Sequence, residues 1–200
     1  MDGSTGAADS NNRDRRLPVL LPDDQVLAQY PFSYEELVCL PEVGLFKVRA
    51  IGAADAPLLK ALFETLSPRS VYMRFFSPLK QLSDAMLARF TQIDYDKHIA
   101  LVAVQRQEQH ENMLAVARVI ETDDTQPAEF SVLVTDALQG KGIGACLLLR
   151  CLGIAKQRGV RTICGLVLAE NTQMLALGRK LNFKVKRVPQ ASEYELTISL

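Results

Sequence analysis

Gln139-Gly140-Lys141-Gly142-Ile143-Gly144-Ala145 stands between a strand-like run, Glu129-Phe130-Ser131-Val132-Leu133-Val134, and a helical pattern with Ile143, Leu147, Cys151 and Ile154 on one stripe. A strand that turns through glycines into a helix leaves backbone N–H groups free at the positive end of the helix dipole, which suits a phosphate or pyrophosphate. Two familiar phosphate loops fit poorly. A Walker loop needs Ser or Thr after its Gly-Lys to hold magnesium, and Lys141 is followed by Gly142. A dinucleotide fingerprint needs its third glycine where Ala145 stands, and an acidic ribose partner near the position of Gly165.

Upstream of the loop, Leu45 to Ile51 alternates as a first strand. Ala54-Asp55-Ala56-Pro57 supplies a cap and an early-turn proline to a helix with Leu58, Leu59, Leu62, Phe63 and Leu66 at helical spacing. Ser67-Pro68 opens a short helix through Tyr72, Arg74 and Phe75, and Ser83 caps another carrying Met86, Leu87 and Phe90. Strands are predicted over Ile99 to Val104 and Met113 to Ile120, with Gln105 to Asn112 as a polar hairpin loop, and Glu129 to Val134 is the fourth strand. Downstream, a helix over Gly142 to Gln157 leads to a fifth strand, Thr162 to Leu168. Asn171 then caps a helix with Met174, Leu177 and Leu181 on one face, Asn182 suits its left-handed close, and Glu193 to Ser199 alternates as the last strand. An antiparallel run with early helices, followed by strand-helix-strand-helix-strand, makes an α+β domain rather than a doubly wound one. Residues 1–16, small and polar, are expected to be a disordered tail, residues 17–41 an irregular arm, and residues 42–200 the folded domain.

Two hundred residues, 48% of them hydrophobic, are enough for one domain with a real core. No apolar run nears the roughly 20 residues of a spanning helix, and the N-terminus lacks a secretory pattern, so no membrane partner is expected and the location is read as cytoplasmic. Cys39, Cys146, Cys151 and Cys164 show no C-x-x-C spacing, and two histidines do not complete a zinc site with them. No metal is expected, and the cysteines read as buried free thiols. Net charge is zero, yet the span from Ala137 to Val188 holds ten Lys or Arg against one acid, Glu170. That field suits a polyanionic ligand. Nucleic acid is disfavoured, because the basic residues are not interleaved with an aromatic platform and aromatic content is only 6%.

The loop with its leading Gln139, the order of elements, and Asn171-Thr-Gln-Met-Leu-Ala-Leu-Gly-Arg-Lys-Leu-Asn-Phe183 together resemble the GNAT acetyltransferase superfamily. Ser67-Pro-Arg-Ser-Val-Tyr-Met-Arg-Phe-Phe76, Thr91-Gln-Ile-Asp-Tyr95 and Ala128-Glu129-Phe130 are similar to the acetyltransferase domain of bacterial Pat-type protein lysine acetyltransferases. The resemblance implies a GNAT-like fold: a central, mixed, mostly antiparallel sheet flanked by helices and splayed between the fourth and fifth strands. It implies acetyl-CoA as co-substrate, held by the loop that Gln139 leads, with the amides of Gly140, Lys141, Gly142, Ile143, Gly144 and Ala145 at its pyrophosphate. Val132, Leu133 and Val134 would pair with the pantetheine amides as a missing strand would, and Asn171 would lie near the pantetheine arm.

By the same resemblance Glu129 is the general base that deprotonates a protein lysine amine before it attacks the thioester, with a metabolic acyl-CoA synthetase as the implied substrate protein. Alternation sets Glu129 on one strand face with Ser131 and Leu133, where partial desolvation would raise its pKa. A backbone N–H near Val132 or Leu133 would stabilise the oxyanion. Many family members have a tyrosine where Gly178 stands, which leaves the general acid to solvent or to a residue such as Tyr95. Two other readings stay open at this point: a small-molecule amine or amino-acid N-acetyltransferase, and a non-catalytic acyl-CoA-binding sensor.

Overall fold

The computed structural model describes residues 30–108, 110–121 and 126–200. The expected tail and the first part of the expected arm lie outside the described residues. In chain order the elements are β1 (Glu36–Leu40), β2 (Gly44–Ala50), α1 (Ala56–Glu64), α2 (Pro68–Phe75), α3 (Asp84–Thr91), β3 (His98–Gln107), β4 (His110–Ile120), β5 (Ala128–Val134), α4 (Ile143–Gln157), β6 (Thr162–Leu168), α5 (Thr172–Lys180), β7 (Lys184–Arg187) and β8 (Glu193–Ser199). The strands make one sheet in the order β1-β2-β3-β4-β5-β6-β8-β7. Every pairing is antiparallel except that of β5 with β6.

Alternation on the central strands divides the core into two layers. Ile99, Leu101 and Ala103 of β3 and Ala115, Ala117 and Val119 of β4 face α4, whose Leu147, Leu148, Cys151 and Ala155 are all buried against them. Ala100, Val102 and Val116 face the other way, onto Leu59, Leu62 and Phe63 of α1, Val71 of α2 and Leu87 of α3. Both strands are covered on each side, so they read as nearly continuous apolar runs. The helices begin where capping chemistry expects. Ser67, Ser83 and Asn171 accept from the N–H of Ser70, Met86 and Met174 at the starts of α2, α3 and α5. Asn182 takes a positive φ of 63° just past α5, as its residue type favours.

Four expectations need correction. The described part of the arm is not irregular, because Glu36–Leu40 pairs with β2 throughout, from Glu36↔Val48 to Leu40↔Gly44. An edge strand is held by main-chain bonds on one side only, and with Leu37 68% exposed it carries no apolar alternation to read. The hairpin is tighter than expected, since β3 and β4 pair as far as Gln107↔His110. Residues 106–108 and 110–112 are exposed and need no apolar face. Similarly, β7 is three parts charge, Lys184, Lys186 and Arg187, and was not anticipated as a strand. The cysteines are free, but only Cys151 is buried, and Cys39 on the edge strand is exposed. No helix of the described residues is long and apolar enough to cross a membrane.

Candidate active site

Strands β5 and β6 are in register only at Ala128↔Ile163 and Glu129↔Cys164, whereas β5 stays paired with β4 from Glu129 to Val134. From Phe130 onward the β6-facing main chain of β5 therefore has no strand partner. The wedge that parts the strands is a side chain: the Phe130 ring lies over Gly165 of β6, where an added Cβ would come within 2.5 Å of it. Phe183 backs that ring at a centroid distance of 4.9 Å. Glycine at 165 is thus a packing requirement. The gap opens into a cavity of about 1150 Å³ bounded by β5, β6, α2, the start of α4 and the start of α5.

The glycine loop forms one wall. Gly140 and Gly142 have φ of 77° and 88°, a region closed to most side chains, and Gly142 leads directly into α4. No side chain caps α4, unlike α2, α3 and α5. The first-turn N–H groups of Ile143, Gly144 and Ala145 have no partner within the helix by its geometry, so they remain available to a ligand. A Cβ on Gly144 would lie 3.3 Å from both Val132 Cγ1 and Val134 Cγ2, and the missing side chain lets α4 lie close on β5. Gln139 braces the loop: its amide donates to Ser70 Oγ at 3.1 Å, Asp136 Oδ1 at 3.0 Å and the Val134 carbonyl at 3.3 Å.

Glu129, Val132, Leu133, Val134, Gln139, Gly140, Gly142, Gly144, Ala145 and Asn171 all line this cavity. Lys141 and Ile143 do not; Ile143 is turned into the core and is 1% exposed. Glu129 sits at the last paired position before the strands part and is exposed, so the desolvation expected for it is absent here. Beside it, the Cys164 thiol is pushed up by burial and by the charges of Glu129 and Glu195, which keeps it protonated. Burial pushes Cys151 up to about 12, deep in the core. Asn171 faces the cavity while its Oδ1 accepts from the Met174 N–H at 3.0 Å, so capping and lining coexist.

Neither candidate position for a general acid reaches the cavity. Tyr95 donates its hydroxyl to the Ile51 carbonyl at 2.6 Å and packs edge-on against Tyr30. Gly178 is buried, and a Cβ there would be 2.3 Å from Leu196 Cδ2, a side chain with no exposure. Gly178→Ala is expected to lower stability by about 1–3 kcal/mol through overpacking, read as a lower denaturation midpoint. An unchanged midpoint would mean that Leu196 yields freely.

Arg74 and Ser131 are among the cavity residues that the sequence does not mark as site members. Arg74 of α2 reaches 57 residues along the chain to donate to Ser131 Oγ at 2.9 Å, and both line the cavity. The helical spacing around Arg74 says only that it is helical, and no local signal pairs it with Ser131. Among the described residues no group of three or more His, Cys, Asp or Glu is arranged to hold a metal ion.

The family model for the acetyltransferase (GNAT) family matches residues 65–183, more than half of the chain. An acetyltransferase of Pseudomonas aeruginosa is 26% identical over 145 residues, spanning 72% of this chain and 78% of that protein. The GNAT domain of S. lividans PAT is 30% identical, superposes with a TM-score of 0.77, and is matched over 86% of this chain and 100% of its own length. A GNAT phosphinothricin acetyltransferase from Sinorhizobium meliloti, solved with acetyl-CoA, shares the fold at 20% identity and a TM-score of 0.60, with 78% and 88% of the two chains covered.

Proposed function

The chain belongs to the GNAT family of acetyltransferases, and from that premise we propose that it moves the acetyl group of acetyl-CoA onto a lysine side-chain amine of a protein. The observation that carries the donor half is the uncapped start of α4 beside the unpaired margin of β5, both on one cavity. The pyrophosphate rests on the first-turn amides after Gly142, and the pantetheine arm runs along Val132 to Val134 as a missing strand. The resemblance of Ser67 to Phe76, Thr91 to Tyr95 and Ala128 to Phe130 to the Pat-type protein lysine acetyltransferases supports a protein lysine as the acceptor. A metabolic enzyme such as an acyl-CoA synthetase is the substrate protein in this reading, and the reaction runs in the cytoplasm.

A lysine amine carries a proton at neutral pH, with an ordinary pKa near 10.4, and must lose it before attack. Glu129 stands where the strands part and takes that proton, directly or through a water. The amine adds to the thioester carbonyl, an N–H of Val132 or Leu133 steadies the oxyanion, and the carbon–sulfur bond breaks. Coenzyme A leaves as a thiolate and is protonated by solvent, consistent with Gly178 and Tyr95 standing away from the cavity.

The test is incubation with labelled acetyl-CoA against a panel of proteins and, separately, a panel of small amines and amino acids. Label is expected on lysines of a protein acceptor. Label confined to small amines would replace the protein acceptor with a metabolite. Binding of acetyl-CoA with no transfer in either panel would make the chain an acyl-CoA sensor.

A further inference from the structure

On the face of the sheet that carries Glu129, two register positions further along, Arg118 of β4 stands directly opposite Ser131 of β5. Arg118 is 4% exposed, and among the described residues it donates no hydrogen bond and forms no ion pair. Arg74 comes down from α2 onto the same serine with a single hydrogen bond and likewise meets no carboxylate. A guanidinium has five N–H donors, so this pair leaves most of its donors unused. Ring contacts account for the faces only: Arg74 lies 5.0 Å from the Phe75 centroid and Arg118 5.4 Å from that of Phe90. The N–H edges are left over.

Buried charges without counterions are costly and are normally paired. Burial, and after it the like charge of Arg74, push Arg118 down to about 10, so it is still a cation at neutral pH. His98, in the next row of the same face, has its Nε2 buried and unpartnered, with Arg118 among the charges opposing its protonation. The two arginines flank a small recess of about 20 Å³ that shares Arg74, Phe75, Ser131 and Leu133 with the main cavity. A water needs about 10–15 Å³ measured this way, so the recess admits the oxygen end of a small anionic group. Planar, forked donors from two sides are the recognition chemistry of a carboxylate.

We propose that the Arg74–Ser131–Arg118 cluster binds a carboxylate brought into the cavity by one of the two reactants, either at the far end of the acyl group or beside the acceptor amine. This rests on the acetyl-CoA reading above and narrows it: the acyltransferase selects for a reactant carrying a negative charge a few ångströms from the reacting carbon.

Two arms separate the sources. The donor arm compares binding of succinyl-CoA with butyryl-CoA, which are matched in carbon count and differ by the terminal carboxylate. The acceptor arm compares kcat/KM, with acetyl-CoA as donor, for amines bearing a carboxylate against their amides, and for lysine peptides with glutamate or glutamine beside the lysine. A carboxylate preference of roughly 10- to 100-fold is expected in one arm, as hydrogen bonds to a charged group provide. The preference is expected to fall to near unity in Arg118→Met and in Arg74→Gln. R118M should melt no lower than the parent chain, since it removes an uncompensated buried charge, and R74Q, at a half-buried position, carries the same test if R118M does not fold. Ratios near one in both arms, or a preference that survives both substitutions, would overturn the proposal. Titration with acetyl-CoA keeps the two readings apart: failure to bind it sinks the donor assignment, whereas binding without any carboxylate preference sinks only the present inference.

Discussion

Replacing Glu129 by glutamine is expected to lower kcat by roughly two to four decades with acetyl-CoA and acceptor both saturating. The substitution keeps the size of the side chain and removes its charge and with it the ability to take a proton. Glu129 is exposed at the last position of β5 paired with β6, and the amides assigned to the pyrophosphate belong to α4, which packs on the other face of the sheet. Acetyl-CoA affinity should therefore change by no more than about twofold, read by calorimetric titration, as for most substitutions of exposed side chains. The residual rate should rise with pH towards the amine's own pKa near 10.4, because free base then no longer has to be generated in the site. A kcat equal to the parent's at neutral pH would remove Glu129 from the chemistry.

Gly142→Val is expected to weaken acetyl-CoA binding by roughly 10- to 100-fold, the equivalent of the 1–3 kcal/mol that a β-branched residue forced to positive φ typically costs. Gly142 holds a φ of 88° at the point where the loop becomes α4. Relief of that strain turns the peptide plane and with it the first-turn N–H groups that the pyrophosphate would meet. The nearest atom to a new Cβ, Leu40 Cδ1, is 3.9 Å away, so crowding contributes little and the effect reads out backbone conformation. Direct titration measures it, with far-UV circular dichroism to show that α4 persists. Unchanged affinity would place the donor phosphates elsewhere than on this loop.

How legible this molecule was in its sequence follows from how local each cause is. Ser67, Ser83 and Asn171 announce helix starts because a cap is a contact over three residues. The fold class and a splay between the fourth and fifth strands followed from the family resemblance that the loop at Gln139 to Ala145, the Asn171 to Phe183 segment and the order of elements carry together; that the strands part directly after Glu129 is seen only in the structure. The edge strands β1 and β7 were illegible because they are five and four residues long and pack only Val38, Leu40 and Val185 on the core, too few side chains to set a period. Arg74 and Arg118 were illegible as partners for a different reason. They converge on Ser131 through sheet register and a helix 57 residues away, and spacing along the chain does not encode that meeting. Gly178 read as a missing catalytic group, whereas Leu196 across the core explains it as a matter of volume.

The wedge of Phe130 over Gly165 bears on the timing of donor capture. Because the ring is packed against Phe183, the two strands stand apart in the folded chain before any ligand arrives. Folding itself bears the cost of holding that strand margin open, so the proposed capture of the donor requires no separation of β5 from β6 beyond that already present. Arrival is then limited by encounter and orientation, which vary little among related ligands. Acyl donors that differ in fit will differ chiefly in how long they stay.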